Sequence, residues 1–252
     1  MFGITIRHNL LKSGILRGKT DIHCHVLPGV DDGSPDSPHS LEMLSFMEEE
    51  IGFRSVCLTP HVMQDYPNNA AMLREHFESF RPHYKGSMRL HLAAEYMLDA
   101  SFADHLRHGV LPLGREHLLV ETSYMNAPVG FQDMLLDIWH QGYHPVLAHP
   151  ERYMYMEESD YAALKANGYD FQLNLLSLSG YYGRRPKQVS EHLLKQGYYN
   201  YQILQEDAES RGLTDRTDGN FYETENEYIV LIYHRPQGAR YDALVGYTRI
   251  NK

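Results

Sequence analysis

Apolar residues along this chain follow two alternating rhythms. Short bounded runs that read as buried strands are Thr20–His25, Ser55–Thr59, Leu90–Ala94, Leu118–Glu121, Val146–Ala148 and Phe171–Leu175, each flanked by turn residues or polar clusters. Helical patterns fall between them. The clearest is Ser40–Glu50, where Leu41, Leu44, Met47 and Ile51 recur at three- and four-residue spacing, with Ser40 expected as N-cap and Gly52 as the stop. Ala70–Phe80, Ala100–Leu106, Phe131–His140, Asp160–Ala166 and Pro186–Lys195 complete the helical set. Strands alternating with helices of this length imply an α/β fold with a parallel sheet, and six such units in about 200 residues point to a closed or nearly closed barrel. An open doubly wound sheet is the alternative.

The rhythm changes after Gly197. A polar segment is followed by two β-like runs, Tyr228–His234 and Tyr241–Ile250, around the turn-forming Pro236-Gln237-Gly238, a pattern that predicts a hairpin instead of another helix–strand unit. Residues 1–199 are therefore expected to form the barrel, and residues 200–252 a divergent tail that completes or replaces its last strand.

Composition narrows the function. The chain has 252 residues, 42% of them hydrophobic, enough for one sizeable core. A formal net charge of -10 without a basic block argues against nucleic-acid binding, which depends on Lys and Arg neutralising phosphates. Cys24 and Cys57 make neither a disulfide framework nor a paired-thiol zinc motif. Polar residues interrupt Met1 to Lys19, so no signal-peptide core or membrane span is drawn there, and a cytoplasmic protein is expected. Nucleotide-cradling Gly-rich loops and a G-x-S-x-G elbow are absent.

The 16 histidines are the unusual feature. Reactive groups of a parallel barrel gather at the C-terminal ends of its strands. Here the first strand ends in His23-Cys24-His25, where a period of two sends both imidazoles to one side and Cys24 to the other. The next strands end at His61, Glu95, Glu121 and His149, and Arg152 follows His149 closely. Burying Glu95 beside Glu121 without compensation costs several kcal/mol per ion, a penalty that a divalent cation reverses. Imidazole and carboxylate without thiolate suit manganese, iron or zinc better than calcium. Asp31-Asp32-Gly33, in the loop after the first strand, reads either as a turn or as a further carboxylate ligand. Arg152 can bind a phosphoryl group bidentately or make a surface ion pair.

The runs TDIHCHVLPGVDDG, TPH at His61, AAEY at Glu95, LVETS at Glu121 and LAHPERY at His149 together resemble the polymerase-and-histidinol-phosphatase superfamily, most closely its bacterial protein-tyrosine phosphatases of capsule and exopolysaccharide operons. The resemblance spans roughly Lys19 to Tyr199. It implies a distorted seven-stranded α/β barrel with up to three metals, often manganese, that hydrolyses phosphotyrosine on the tail of a polysaccharide co-polymerase tyrosine kinase. It assigns His23, His25 and Glu95 to a first metal, Glu95, Glu121 and His149 to a second, Asp32 and His61 to a third, and phosphate binding to Arg152. One departure stands out. Relatives carry a strand with an Asp-x-His ligand pair where this chain reads Tyr201-Gln202-Ile203-Leu204-Gln205, and no Asp-x-His occurs downstream. Fewer than three tightly held metals are therefore expected. A small-molecule phosphatase, such as one for histidinol phosphate, and a metal-binding descendant that recognises phosphorylated tails without turnover are the alternatives.

Overall fold

The computed structural model describes residues 17–174, 177–178 and 180–199, and the backbone of 221–223, 227–234 and 243–251. Its elements are β1 (Thr20–Cys24), α1 (Ser37–Phe46, running into a π turn at Met47–Ile51), β2 (Ser55–Leu58), β3 (His61–Val62), α2 (Ala70–Phe80), β4 (Arg89–Leu92) and β5 (Glu95–Met97). There follow α3 (Phe102–His108), β6 (His117–Glu121), α4 (Phe131–His140), β7 (His144–Ala148), α5 (Glu158–Ala166), β8 (Asp170–Gln172) and α6 (Arg184–Lys195). These strands make two parallel sheets, β1-β2-β4 and β3-β5-β6-β7-β8. The sheets meet where β2 continues towards β3 and β4 towards β5, with Ala93 N donating to Leu58 O and Glu95 N to Pro60 O. Strand positions thus succeed one another in sequence order. The outermost strands, β1 and β8, are linked by a 2.8 Å side-chain hydrogen bond between His23 Nδ1 and Gln172 Oε1.

Period-two alternation sorts the strand residues onto two faces. Val56, Leu58, Leu118, Val120 and Leu147 join the helical residues Leu44, Leu73, Leu135, Ile138 and Leu164 in the main core. Their alternates Cys57, Leu119, Val146 and Ala148, with Ile22 and Ala93, form a second, smaller cluster on the opposite face. This face carries the candidate chemistry.

The six predicted strands and six predicted helices are all present, with ends shifted by a few residues. Two details differ. The N-cap of α1 is Asp36, whose carboxylate accepts from His39 N at 3.0 Å, while Ser40 lies inside the helix and donates to Ser34 Oγ at 2.8 Å. Pro38 explains the earlier start, because its fixed φ suits the first helical turn. Gly52 does end the segment, in the left-handed conformation at φ 84°. The short strands β3 and β5 were not predicted as separate elements; they resume the β2 and β4 directions past Thr59-Pro60 and Ala93-Ala94. Six parallel strand positions are seen among the described residues, short of the seven implied by the resemblance.

In the tail, β9 (Phe221–Glu223), β10 (Glu227–His234) and β11 (Ala243–Asn251) pair antiparallel in the order β11-β10-β9. The two predicted runs therefore pair as expected, with β9 as an addition. Tyr201–Gln205 and the Pro236-Gln237-Gly238 turn lie outside the described residues.

Candidate metal centre

Strand alternation brings three of the predicted donors to the small-cluster face without further help. Glu121 lies two residues after Leu119, Glu95 two after Ala93, and His61 four after Cys57. The other donors need local departures from regularity. In β1, Ile22 belongs to the small cluster, yet Cys24, two residues on, packs against the main core. A register shift between Asp21 and Cys24 accounts for the exchange and turns His23 and His25 towards the carboxylates. At the end of β7, His149 adopts φ 36° and ψ 52°, the one non-glycine positive φ among the described residues. Strain of this kind gathers at functional sites.

The donors converge on Glu95, which is fully buried. Its Oε2 lies 3.1 Å from His23 Nε2, 3.3 Å from His25 Nε2 and 3.3 Å from His61 Nδ1, while Oε1 lies 3.1 Å from His149 Nε2. Glu121 Oε1 is 3.0 Å from His61 Nδ1, and Glu121 Oε2 is 3.8 Å from His149 Nε2. Three groups bring one ligand atom per residue within 4.8 Å of one another, close enough to share a cation: His23-His25-Glu95, His25-Asp32-His61 and His61-Glu95-Glu121. Cation bonds of about 2.1 Å meeting at roughly 90–110° hold ligand atoms about 3.0–3.4 Å apart, the spacing seen here. His61 Nδ1 and Glu121 Oε1 are buried, face one another, and have no hydrogen-bond partner. An imidazole nitrogen and a carboxylate oxygen set 3.0 Å apart in this way fit two ligands of a shared cation.

Surrounding groups fix the imidazoles. Gln172 Oε1 holds His23 Nδ1, and Asp31 Oδ2 holds His25 Nδ1, each at 2.8 Å. An acceptor at Nδ1 keeps the proton there and leaves the Nε2 lone pair for a metal. Asp31 also accepts from His61 N and Gly33 N, both at 3.0 Å, so one buried carboxylate orients two donor-bearing segments. Asp32 is different. Its side chain is 63% exposed, with Oδ1 3.5 Å from His61 Nε2, placing it at the rim beside the third group. Gly33 makes this turn possible, since a Cβ there would sit 2.1 Å from the backbone oxygen of His25. Without cations, protons balance the carboxylates. Burial disfavours charge on His25, but the hydrogen bonds it donates to the Asp31 and Glu95 carboxylates raise its pKa from 6.5 to about 10. Burial also opposes ionisation of Glu95, and the imidazoles around it nevertheless hold it well below the usual carboxylate range.

The segment after β7 is anchored on two sides. Tyr153 Oη donates to Ala148 O at 2.8 Å and accepts from Thr122 N at 3.2 Å. Buried Glu151 accepts from Asn174 N at 2.9 Å, Ser177 Oγ at 2.7 Å and Tyr199 Oη at 3.0 Å. Between these anchors, Arg152 projects between the rings of Tyr124 and Tyr182. Sequence patterns gave no sign of Gln172, Glu151 or the two tyrosines, whose contacts are tertiary. Cys24, facing away as expected, donates Sγ to Cys57 O at 3.4 Å, and burial holds its pKa well above the usual thiol value.

Parallel strands with imidazoles and carboxylates gathered at one end, and an arginine beside them, define a chain of the polymerase-and-histidinol-phosphatase type. The comparison with family models is more specific: residues 19–212 match the capsular polysaccharide synthesis model CpsB/CapC, and the chain belongs to that family. It is 31% identical over 183 residues to the tyrosine-protein phosphatase YwqE of Bacillus subtilis (strain 168), covering 69% of this chain and 72% of that protein. A chain from the crystal structures of YwqE from Bacillus subtilis and CpsB from Streptococcus pneumoniae, described as metal-dependent tyrosine phosphatases, superposes with a TM-score of 0.64 at 27% identity. That match covers 78% of this chain and 88% of the solved one. Among the described residues no helix is long and apolar enough to cross a membrane.

Proposed function

We propose that this chain is a metal-dependent protein-tyrosine phosphatase acting on the phosphotyrosine tail of a bacterial polysaccharide co-polymerase tyrosine kinase. The observation that carries this reading is the convergence of His23, His25, His61 and His149 on the two buried carboxylates Glu95 and Glu121, with donor atoms 3.0–3.8 Å apart. His23, His25, Asp32, His61, Glu95, Glu121 and His149 are the proposed ligands, and Arg152 the proposed phosphate-binding residue. Bound divalent cations, manganese first and iron or zinc next, would supply the positive charge that polarises a phosphoryl group and activates water. Arg152 binds the phosphoryl oxygens through its planar donor fork and steadies charge as it develops. A phenol with pKa of about 10 is comparatively easy to expel, so a strong general acid is not needed. The His23–Gln172 link between outer strands supports a barrel of residues 1–199 that closes there, and residues 200–252 are read as a divergent tail that completes or replaces its last strand.

The test is metal analysis of protein purified without chelator, with turnover measured on the same sample for a phosphotyrosine peptide, histidinol phosphate and a sugar phosphate. The peptide should be preferred, and Arg152→Ala should raise KM and lower kcat. Preference for a small phosphate ester would replace the tyrosine assignment. Bound metal without turnover would favour the recognition module, a reading supported by the missing Asp-x-His pair.

A further inference from the structure

We propose that Tyr124 and Tyr182 are positioning residues that clamp the Arg152 guanidinium face-on and leave its donor edge free for a phosphoryl group. This rests on the phosphatase reading for the identity of the anion. The guanidinium carbon lies 4.2 Å from the Tyr124 ring centre and 4.0 Å from that of Tyr182. Among the described residues Arg152 makes no side-chain hydrogen bond or ion pair. All five N–H donors of a guanidinium lie in its plane, so a ring stacked on each face would fix its orientation while leaving the hydrogen-bonding edge open. A carboxylate partner would also orient it, but would neutralise the charge that attracts an anion. Aromatic faces hold the cation without cancelling that charge.

Each ring is held from a different part of the fold. Tyr124, in the loop after β6, accepts from Met154 N through its backbone oxygen at 2.7 Å, and its ring lies 5.9 Å from that of His149. Tyr182, in the segment before α6, accepts from Asn174 Nδ2 at 3.5 Å, and Asn174 is itself bound through its backbone to Glu151. The clamp therefore ties the arginine to the ends of β6, β7 and β8 together. It also sets the arginine's position relative to His149.

The experiment compares Leu and Phe at each tyrosine, with and without Arg152→Ala. In metal-loaded protein it measures the dissociation constant for inorganic phosphate, and kcat and KM for a phosphotyrosine peptide. Metal content and melting temperature confirm that each variant is folded and loaded. Tyr124→Leu and Tyr182→Leu should each weaken phosphate binding and lower kcat/KM by roughly tenfold, the range of a partly desolvated cation–π contact. Tyr124→Phe and Tyr182→Phe, which retain the ring, should recover most of that loss. In the Arg152→Ala background the Leu changes should have no further effect. Phosphate affinity unchanged by Leu, Phe variants as impaired as Leu, or Leu effects that persist without Arg152 would each overturn the clamp. If the unmodified protein hydrolyses no phosphoester yet shows the Tyr–Arg coupling in phosphate binding, the clamp stands and the phosphatase assignment falls.

Discussion

Loading this site with a divalent cation should displace a proton from His25. Burial works against a charged imidazole there, but the Asp31 and Glu95 hydrogen bonds overcome it and raise the pKa from 6.5 to about 10. A metal needs the Nε2 lone pair that this proton occupies, so each pH unit below 10 weakens apparent affinity tenfold. At pH 7.5 the gap is about 2.5 units, a penalty of roughly 300-fold against the alkaline limit. Titrating manganese into chelator-stripped protein at pH 7.5, in two buffers of different ionisation enthalpy, should reveal at least one proton released per protein as the cation bound by His25 enters. Affinity should rise about tenfold per pH unit from 6.5 to 8.5. The same shift sets the stability of the metal-free chain. A folded-state pKa raised above 6.5 contributes stability that is fully present below pH 6.5 and is lost as pH rises through about 10. The contribution is on the order of a few kcal/mol, and it should be absent from the loaded protein, where the cation replaces the proton. Binding without proton release, or a pH-independent affinity, would refute this reasoning.

Further expectations follow from other contacts. Asp31→Asn should weaken metal binding by roughly 10–100-fold, because the amide no longer fixes the His25 tautomer, whereas Asp32→Asn at the exposed rim should affect only the most weakly held ion; metal titration of both variants separates them. Gly33→Ala should lower stability by about 1–3 kcal/mol or more, since the added methyl collides with the His25 backbone, and thermal melting checks this. The protein as it stands should hold fewer than three tight metals by elemental analysis, and grafting an Asp-x-His strand after Tyr199 should raise both occupancy and rate; three full sites in the unmodified chain would show that another residue completes the centre.

Much of the architecture was legible because burial writes a period into each segment. The runs around Val56, Leu119 and Val146 alternate cleanly between two apolar faces, and Phe131–His140 and Ala70–Phe80 were placed to the residue. The donor residues were legible by type and by position at strand ends. How the chain aims them was less so. Alternation alone would leave His149 off the site face, and its left-handed backbone cannot be read from a His-Pro pair. Asp31 and Asp32 are neighbours of identical chemistry, and only the folded turn decides which is buried against His25 and which stays in water. Gln172 had no chemical signal beyond its place on a strand. Ser40 misled because Asp36, one turn earlier with Pro38 behind it, is the better cap.

The order of the strands bears on how such a centre diverges. The donors arrive one or two per strand, on strands laid side by side in the order in which the chain is written. Each strand end is then a separate slot, filled by a residue whose neighbours in the ladder are backbone and do not depend on it. Replacing the last stretch of such a chain deletes the donors it carried and leaves the earlier slots filled. Reactivity in this architecture can therefore erode or be rebuilt one slot at a time, while the hydrogen-bonded frame persists.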